Sequence, residues 1–228
     1  MSYLIPIFKN LVLRPKFAFQ QISEHKVSSK FPFVFIFLSM LLFWFTYLEQ
    51  VDLTWLIEHT INTQLSNMSA AEQAQLRQQM TPESIRYTYT ITSALMTILQ
   101  AVILAGYLNI VTKLDEENTD GFSDWFGFIW WVQFPLIIQF SLTSLIVLFY
   151  PSNQIDLTLL QFSSINQLVG LVPGDKLYTL LTSFDFFSLW SLVILFYGLS
   201  VKTSLSTKSL VNICLFPILM LILLGLFL

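Results

Sequence analysis

Apolar residues along this chain gather into five stretches close to membrane-spanning length: Phe31–Leu48, Tyr87–Val111, Trp125–Tyr150, Phe184–Val201 and Leu210–Leu228. A helix rises about 1.5 Å per residue and the hydrocarbon core is about 30 Å thick, so about 20 residues cross it. No Lys or Arg interrupts any of the five. The pattern predicts an all-α fold, a polytopic membrane bundle of five transmembrane helices with spans near 31–48, 82–111, 125–150, 184–201 and 210–228. The second span starts ahead of its apolar stretch because Thr81-Pro82-Glu83 is a helix-start signal with proline in the first position.

The remaining polar and mixed segments predict short interfacial helices. Residues 1–30 form a separate segment ahead of the 31–228 bundle. Ile5, Phe8, Leu11 and Val12 follow helical spacing, interrupted by Pro6. Pro15 opens a second short helix carrying Phe17, Ala18 and Ile22. Lys9, Arg14 and Lys16 fall where lipid headgroups would lie, and with Phe17 they make a candidate lipid- or partner-docking surface. In the connection 49–86, Asp52 caps a short helix, and Ser69 with Glu72 has capping-box spacing. The connection 151–183 is too apolar for a free loop and is expected at the outer interface, turning at Pro173-Gly174.

Polar groups and prolines inside the spans form a second candidate set. Pro135 and Pro217 each free a backbone carbonyl and are expected to kink their helices. Gln133, Gln139, Thr143 and Ser144 can bond between helices. Asp185 lies within about one turn of the fourth span's start. An ionisable group at that depth marks a functional site or caps the helix N-terminus. Gln133, Pro135, Asp185 and Pro217 are therefore the candidate intramembrane polar or hinge positions. A faint echo links Val102-Ile103-Leu104 and Thr112-Lys113-Leu114 with Val193-Ile194-Leu195 and Thr203-Ser204-Leu205. It suggests that spans two–three and four–five repeat.

Composition supports the membrane reading. The 228 residues are 55% hydrophobic and 11% charged, against about 25% charged in soluble domains. A net charge of −3 gives no case for nucleic acid. Lys9, Arg14, Lys16, Lys26, Lys30, Lys113, Lys202 and Lys208 fall on one side of the five-span topology, and Arg77, Arg86 and Lys176 on the other. The positive-inside rule then makes the N-terminus cytoplasmic and puts the C-terminus on the far side. Asp115, Glu116, Glu117, Asp120 and Asp124 make the second connection acidic, which weighs little in topology. No small-residue cleavage site follows the first stretch, so the first span is read as retained. Cys214 cannot form an intramolecular disulfide and reads as a small hydrophobe. No catalytic or metal-binding residues and no cofactor are expected. Phosphate-loop and metalloprotease strings are missing, and Glu58-His59 lacks further ligands and reads as a solvated loop face.

Three segments together resemble the Yip family of five-pass membrane proteins, in its bacterial branch. They are Leu11-Val12-Leu13-Arg14-Pro15-Lys16-Phe17-Ala18-Phe19, Gly121-Phe122 with Trp131 to Pro135, and Phe184-Asp185-Phe186-Phe187-Ser188-Leu189-Trp190 running to Gly198-Leu199-Ser200. The family is named for binding Ypt/Rab GTPases. This chain lacks the long N-terminal region and the Asp-Leu-Tyr-Gly-Pro string of the eukaryotic branch, so a Rab-type partner is not expected. The resemblance implies five spans and a bacterial cytoplasmic-membrane protein. The expected function is a non-enzymatic scaffold or adaptor acting on membrane lipid, a protein partner or a homo-oligomer. The alternative is a small oligomeric transporter or channel using the proline-containing third and fifth spans.

Overall fold

A computed structural model describes residues 4–63, 68–172, 174–175 and 177–227. Twelve α-helices occur among them, and no strand. They are α1 (Leu4–Leu13), α2 (Pro15–Glu24), α3 (Lys30–Gln50), α4 (Leu53–Thr63), α5 (Ala70–Gln79) and α6 (Pro82–Val111). After these come α7 (Phe122–Val132), α8 (Pro135–Leu148), α9 (Asn166–Val169), α10 (Tyr178–Ser183), α11 (Phe186–Lys202) and α12 (Thr207–Phe227). Pro173, Lys176 and the terminal Leu228 lie outside the described residues.

Helix starts follow local chemistry. The Asp52 carboxylate accepts from the N–H groups of Thr54 and Trp55, both at 3.0 Å, and starts α4. Ser69 and Glu72 bond reciprocally at the head of α5. Thr81 and Ser84 do the same across Pro82 at the head of α6. Such caps stabilise a helix by about 1 kcal/mol each.

Three helical segments are long and apolar enough to cross a membrane: Lys30–Gln50, Pro82–Leu114 and Phe122–Leu148. The third is not one helix. Pro135 has no N–H to offer the Trp131 carbonyl, which accepts from Phe134 instead, while Leu136 donates to Gln133. The tightened turn separates α7 from α8, so the expected kink is a break. The predicted span 125–150 begins earlier, at Phe122, and ends at Leu148. The fourth apolar stretch forms the 17-residue α11, starting at Phe186 rather than residue 184. Pro6 does not interrupt α1, because it sits in the first turn, where no intrahelical bond depends on its nitrogen.

Pro217 behaves unlike Pro135. α12 runs through it as one helix. The carbonyl that Pro217 leaves without its i+4 donor belongs to Ile213, and the Tyr107 hydroxyl of α6 donates to that oxygen at 2.8 Å. The Tyr107 ring stacks on Phe216 beside it, with centroids 5.8 Å apart. A side chain from a neighbouring helix thus replaces the missing backbone donor.

The fold divides into two compact units. The first comprises Met1–Ile36, Ile98–Leu136 and Phe186–Leu228. Its core is aromatic. Phe19 and Phe128 pack at 5.2 Å, against Gly198. A Cβ at Gly198 would stand 2.6 Å from the Phe128 ring, so only glycine lets α11 come this close to α2 and α7. The second comprises Phe37–Thr97 and Ile137–Asp185. Phe43, Tyr47, Leu56, Ile61, Val147 and Ile155 centre its core. The Tyr47 hydroxyl donates to the Ile155 carbonyl at 2.9 Å, so the apolar start of the 151–185 connection is pinned inside.

Tyr107→Phe removes the substitute donor and leaves the Ile213 carbonyl unpaired in apolar surroundings. We expect a loss of about 1–3 kcal/mol, seen as a lower melting temperature in detergent. In a Pro217→Ala background the backbone donor returns, and the same substitution should cost little. Equal losses in both backgrounds would refute the coupling.

Candidate functional site

The N-terminal hairpin is the best-formed surface site, and its local sequence explains its shape. Pro15 pushes Arg14 out of helical geometry (φ −147°, ψ 65°) and opens α2 at its first position. The two short helices are tied by the Asn10 carboxamide donating to Gln21 at 2.9 Å. Ile7 and Leu11 of α1 and Ala18 and Phe19 of α2 are buried. Phe8 stacks on Phe134 at 5.4 Å and meets Phe35 edge-on at 5.7 Å. The hairpin is therefore held on its inner face by the first unit's aromatic core.

Its outer face carries every docking residue expected from the sequence. Lys9, Arg14, Lys16 and Phe17 are all exposed. Among the described residues no carboxylate pairs with the three cations. Exposed Ile5, Leu13 and Phe17 lie among them. Beside Arg14 and Lys16 opens a groove of about 520 Å³, walled by Leu13, Phe17 and Gln20 on one side and by Trp190, Val193 and Tyr197 of α11 on the other. Two cations at the rim of an aromatic and aliphatic groove suit a phosphate group with an acyl chain: a guanidinium binds phosphate oxygens bidentately, and the walls bury hydrocarbon. The α11 wall was missed in the sequence, although positions 190, 193 and 197 share one helix face by their i, i+3, i+7 spacing.

Three of the five acids in the connection after α6 are committed internally. Asp115 accepts from the Ser204 N–H at 2.7 Å and from its hydroxyl at 2.6 Å. Asp120 pairs with Lys202 at 2.8 Å, whose ammonium lies 5.3 Å from the Trp125 ring centroid. Asp124 accepts from the Gly121 N–H at the head of α7. The two Ser204 bonds, side chain first, hold the Asp115 carboxyl below its ordinary value, against an opposing effect of burial.

Asp185 accepts a hydrogen bond from the Gln139 carboxamide at 2.6 Å. Thr143 and Ser144 bond back to Gln139 and Phe140 carbonyls of their own helix rather than across helices. Gln133 sits at the α7–α8 break, only 4% exposed, and neither its amide oxygen nor its nitrogen has a partner among the described residues. Glu58 and His59 are not a solvated loop face. They lie on α4, where Glu58 pairs with Arg77 at 3.1 Å, and His59 bonds Asp156 and stacks on Trp55. Burial raises the Asp156 carboxyl, but Thr158 and His59 outweigh it, and the net shift is downward. The His59–Asp156 pairing joins positions with no adjacency in the sequence. Among the described residues no three His, Cys, Asp or Glu side chains gather as a metal site.

The model of the Yip1 domain matches residues 9–228, nearly the whole chain. The chain belongs to the Yip1 family. Together with the three long apolar helices, this makes it an integral membrane protein. No curated protein and no solved structure matches this Yip1-domain protein.

Because the folded state depresses Asp115, its contribution is present above the ordinary carboxylate value of 3.8 and is lost as pH falls through the folded value. The melting temperature of the wild type should therefore drop towards Asp115→Asn as pH is lowered from 7 to 3, with the variant lower at neutral pH. Parallel curves across that range would contradict the assignment.

Proposed function

We propose that this Yip1-domain protein is a non-enzymatic membrane scaffold that collects anionic phospholipid at its N-terminal hairpin. The observation that carries this reading is a set of cations, Lys9, Arg14 and Lys16, with no ion-pair partner among the described residues, on an anchored hairpin beside an apolar groove. Anionic headgroups supply the missing charge, at about 1 kcal/mol per basic residue near the surface. The proposal takes α3, α6, the α7–α8 pair, α11 and α12 as five crossings, with the N-terminus cytoplasmic and the C-terminus on the far side. At 17 residues α11 meets the lower end of spanning length. The charge distribution supports this orientation, and a bacterial inner membrane is the expected setting. A docked lipid layer would give an adaptor a defined platform for a partner protein.

A transporter or channel is the second reading. The buried, unpaired Gln133 at the Pro135 break favours it, and Asp185→Asn would then alter flux in vesicles. It ranks lower because Asp185 is already held by Gln139, and the Ile213 carbonyl beside Pro217 already accepts from Tyr107.

The test is lipid retention by native mass spectrometry after release from bilayers mixing phosphatidylglycerol and phosphatidylcholine. Replacing Lys9, Arg14 and Lys16 with Gln should cut phosphatidylglycerol enrichment about tenfold. Unchanged enrichment would sink the lipid assignment. A reporter fused after Leu228 should be active only on the non-cytoplasmic side, and cytoplasmic activity would overturn the five-crossing topology.

A further inference from the structure

Two sets of contacts give the depth of the N-terminal hairpin. Lys202 is the first charged residue after the apolar run of α11, and it pairs with Asp120 just ahead of α7, so the end of α11 and the start of α7 lie at one level. Phe19 of α2 packs against Gly198, which is four residues, or about 6 Å, from Lys202 along α11. Farther from that end, Lys16 and Phe17 line a groove with Trp190 and Val193; nearer to it, Ile22 and Ser23 share another with Lys202. α2 therefore runs alongside α11 in the same direction. Arg14, five residues before Phe19, stands about 14 Å from the level of Lys202. α1 gives the same depth independently. The Phe8 ring lies 5.9 Å from that of Trp131, which is nine residues, or about 14 Å, into α7 from Phe122.

Half of a hydrocarbon layer is about 15 Å, so with α11 crossing the membrane the tip of the hairpin comes close to the midplane. It carries cations there. Lys9, Arg14 and Lys16 are exposed, and among the described residues no carboxylate pairs with them. Leu13 and Arg14 form a ridge between two grooves, one of about 480 Å³ with Ile5, Lys9 and Asn10, the other of about 520 Å³ with Lys16, Phe17 and Trp190. Trp190 lies deeper than Arg14, 12 residues or about 18 Å from Lys202, so the second groove continues below the cations that border it. A charge at the centre of a membrane helix costs about 2.5–3.5 kcal/mol or more, relieved by side chains climbing towards the surface, by water and by local thinning. Acyl chains cover the apolar walls but give the cations no counter-charge. A phosphate drawn in from the headgroup layer gives one.

We propose that the hairpin draws phospholipid headgroups and water into the cytoplasmic leaflet, so that the bilayer is indented beside α11 and the bound phosphate lies inside the hydrocarbon layer. This rests on the lipid-collecting reading and on α11 as a crossing. The occupant is anionic phospholipid, because a zwitterionic headgroup brings no net charge to three cations that have no carboxylate of their own. The protein then thins the membrane locally as well as collecting lipid.

The experiment is thiol labelling with a membrane-impermeant maleimide, in membrane vesicles whose cytoplasmic face is outward. Leu13→Cys reports the ridge between the grooves. Ile103→Cys, exposed on α6 eight residues, or about 12 Å, before Val111, reports a similar depth covered by lipid. Glu116→Cys in the acidic connection sets the rate in water, and the wild type, whose lone Cys214 is buried, is the blank. We expect Leu13→Cys to label about tenfold faster than Ile103→Cys. Replacing Lys9, Arg14 and Lys16 with Gln should return it to the Ile103→Cys rate, whereas Lys9→Arg, Arg14→Lys and Lys16→Arg together should keep it fast. Labelling of Leu13→Cys no faster than that of Ile103→Cys, or indifferent to the Gln replacements, would overturn the proposal. So would Ile103→Cys labelling as fast as Glu116→Cys, which would put that depth outside the membrane. Phosphatidylglycerol retention is read on the same proteins. Enrichment kept beside a dry position 13 sinks the indentation alone, and enrichment lost as well sinks the lipid reading beneath it.

Discussion

Hydrocarbon has no hydrogen bonds to give, and the arrangement of this chain follows from that. Each backbone N–H and C=O within the membrane must find its partner in the protein, at a cost of about 1–3 kcal/mol where a buried group fails. Helices meet the demand along most of the chain. Hydroxyls meet it by turning back on their own helix, as Thr46 does on Leu42, and Ser141 on Ile137. The two prolines deep in apolar stretches are where the demand is hardest to meet, and they are met differently. At Pro135 the ladder is surrendered and a tight turn restarts the helix. At Pro217 a tyrosine on another helix stands in for the absent donor, and the helix continues.

The same constraint sorts the polar side chains. Six charged groups beyond the apolar stretches form internal pairs: Asp120 with Lys202, Glu58 with Arg77, Glu49 with Arg86. The basic residues of the N-terminal hairpin make no such pair among the described residues. They carry charge outward beside the exposed apolar side chains Ile5, Leu13 and Phe17.

Much of the fold was legible in the sequence because the membrane imposes a coarse, one-dimensional code. Length and hydropathy located every long helix to within a few residues, and the caps at Asp52, Ser69 and Thr81 were readable because a cap is a local motif. The N-terminal hairpin was readable for the same reason, since Pro15 lies between its two short helices. What escaped were pairings set by three-dimensional proximity. Nothing near Pro217 in the chain points to Tyr107, and nothing near His59 points to Asp156. The different fates of two similar prolines are decided by a neighbour that sequence spacing does not name. Thr143 and Ser144 were misread as bridging groups because a hydroxyl's nearest acceptor in a helix is the carbonyl one turn behind.

The bond between Asp115 and Ser204 spans 89 residues, and this gives the chain a sense of time. A ribosome adds about 5–20 residues per second, so roughly 5–20 s pass between the synthesis of the carboxylate and the arrival of the serine. Through that interval the aspartate is solvated and uncommitted, and Asp120 likewise waits for Lys202. The acidic connection therefore closes only once the segment entering α12 has emerged. Its closure marks a chain in which α11 has been made, and a product truncated before that point keeps the connection open.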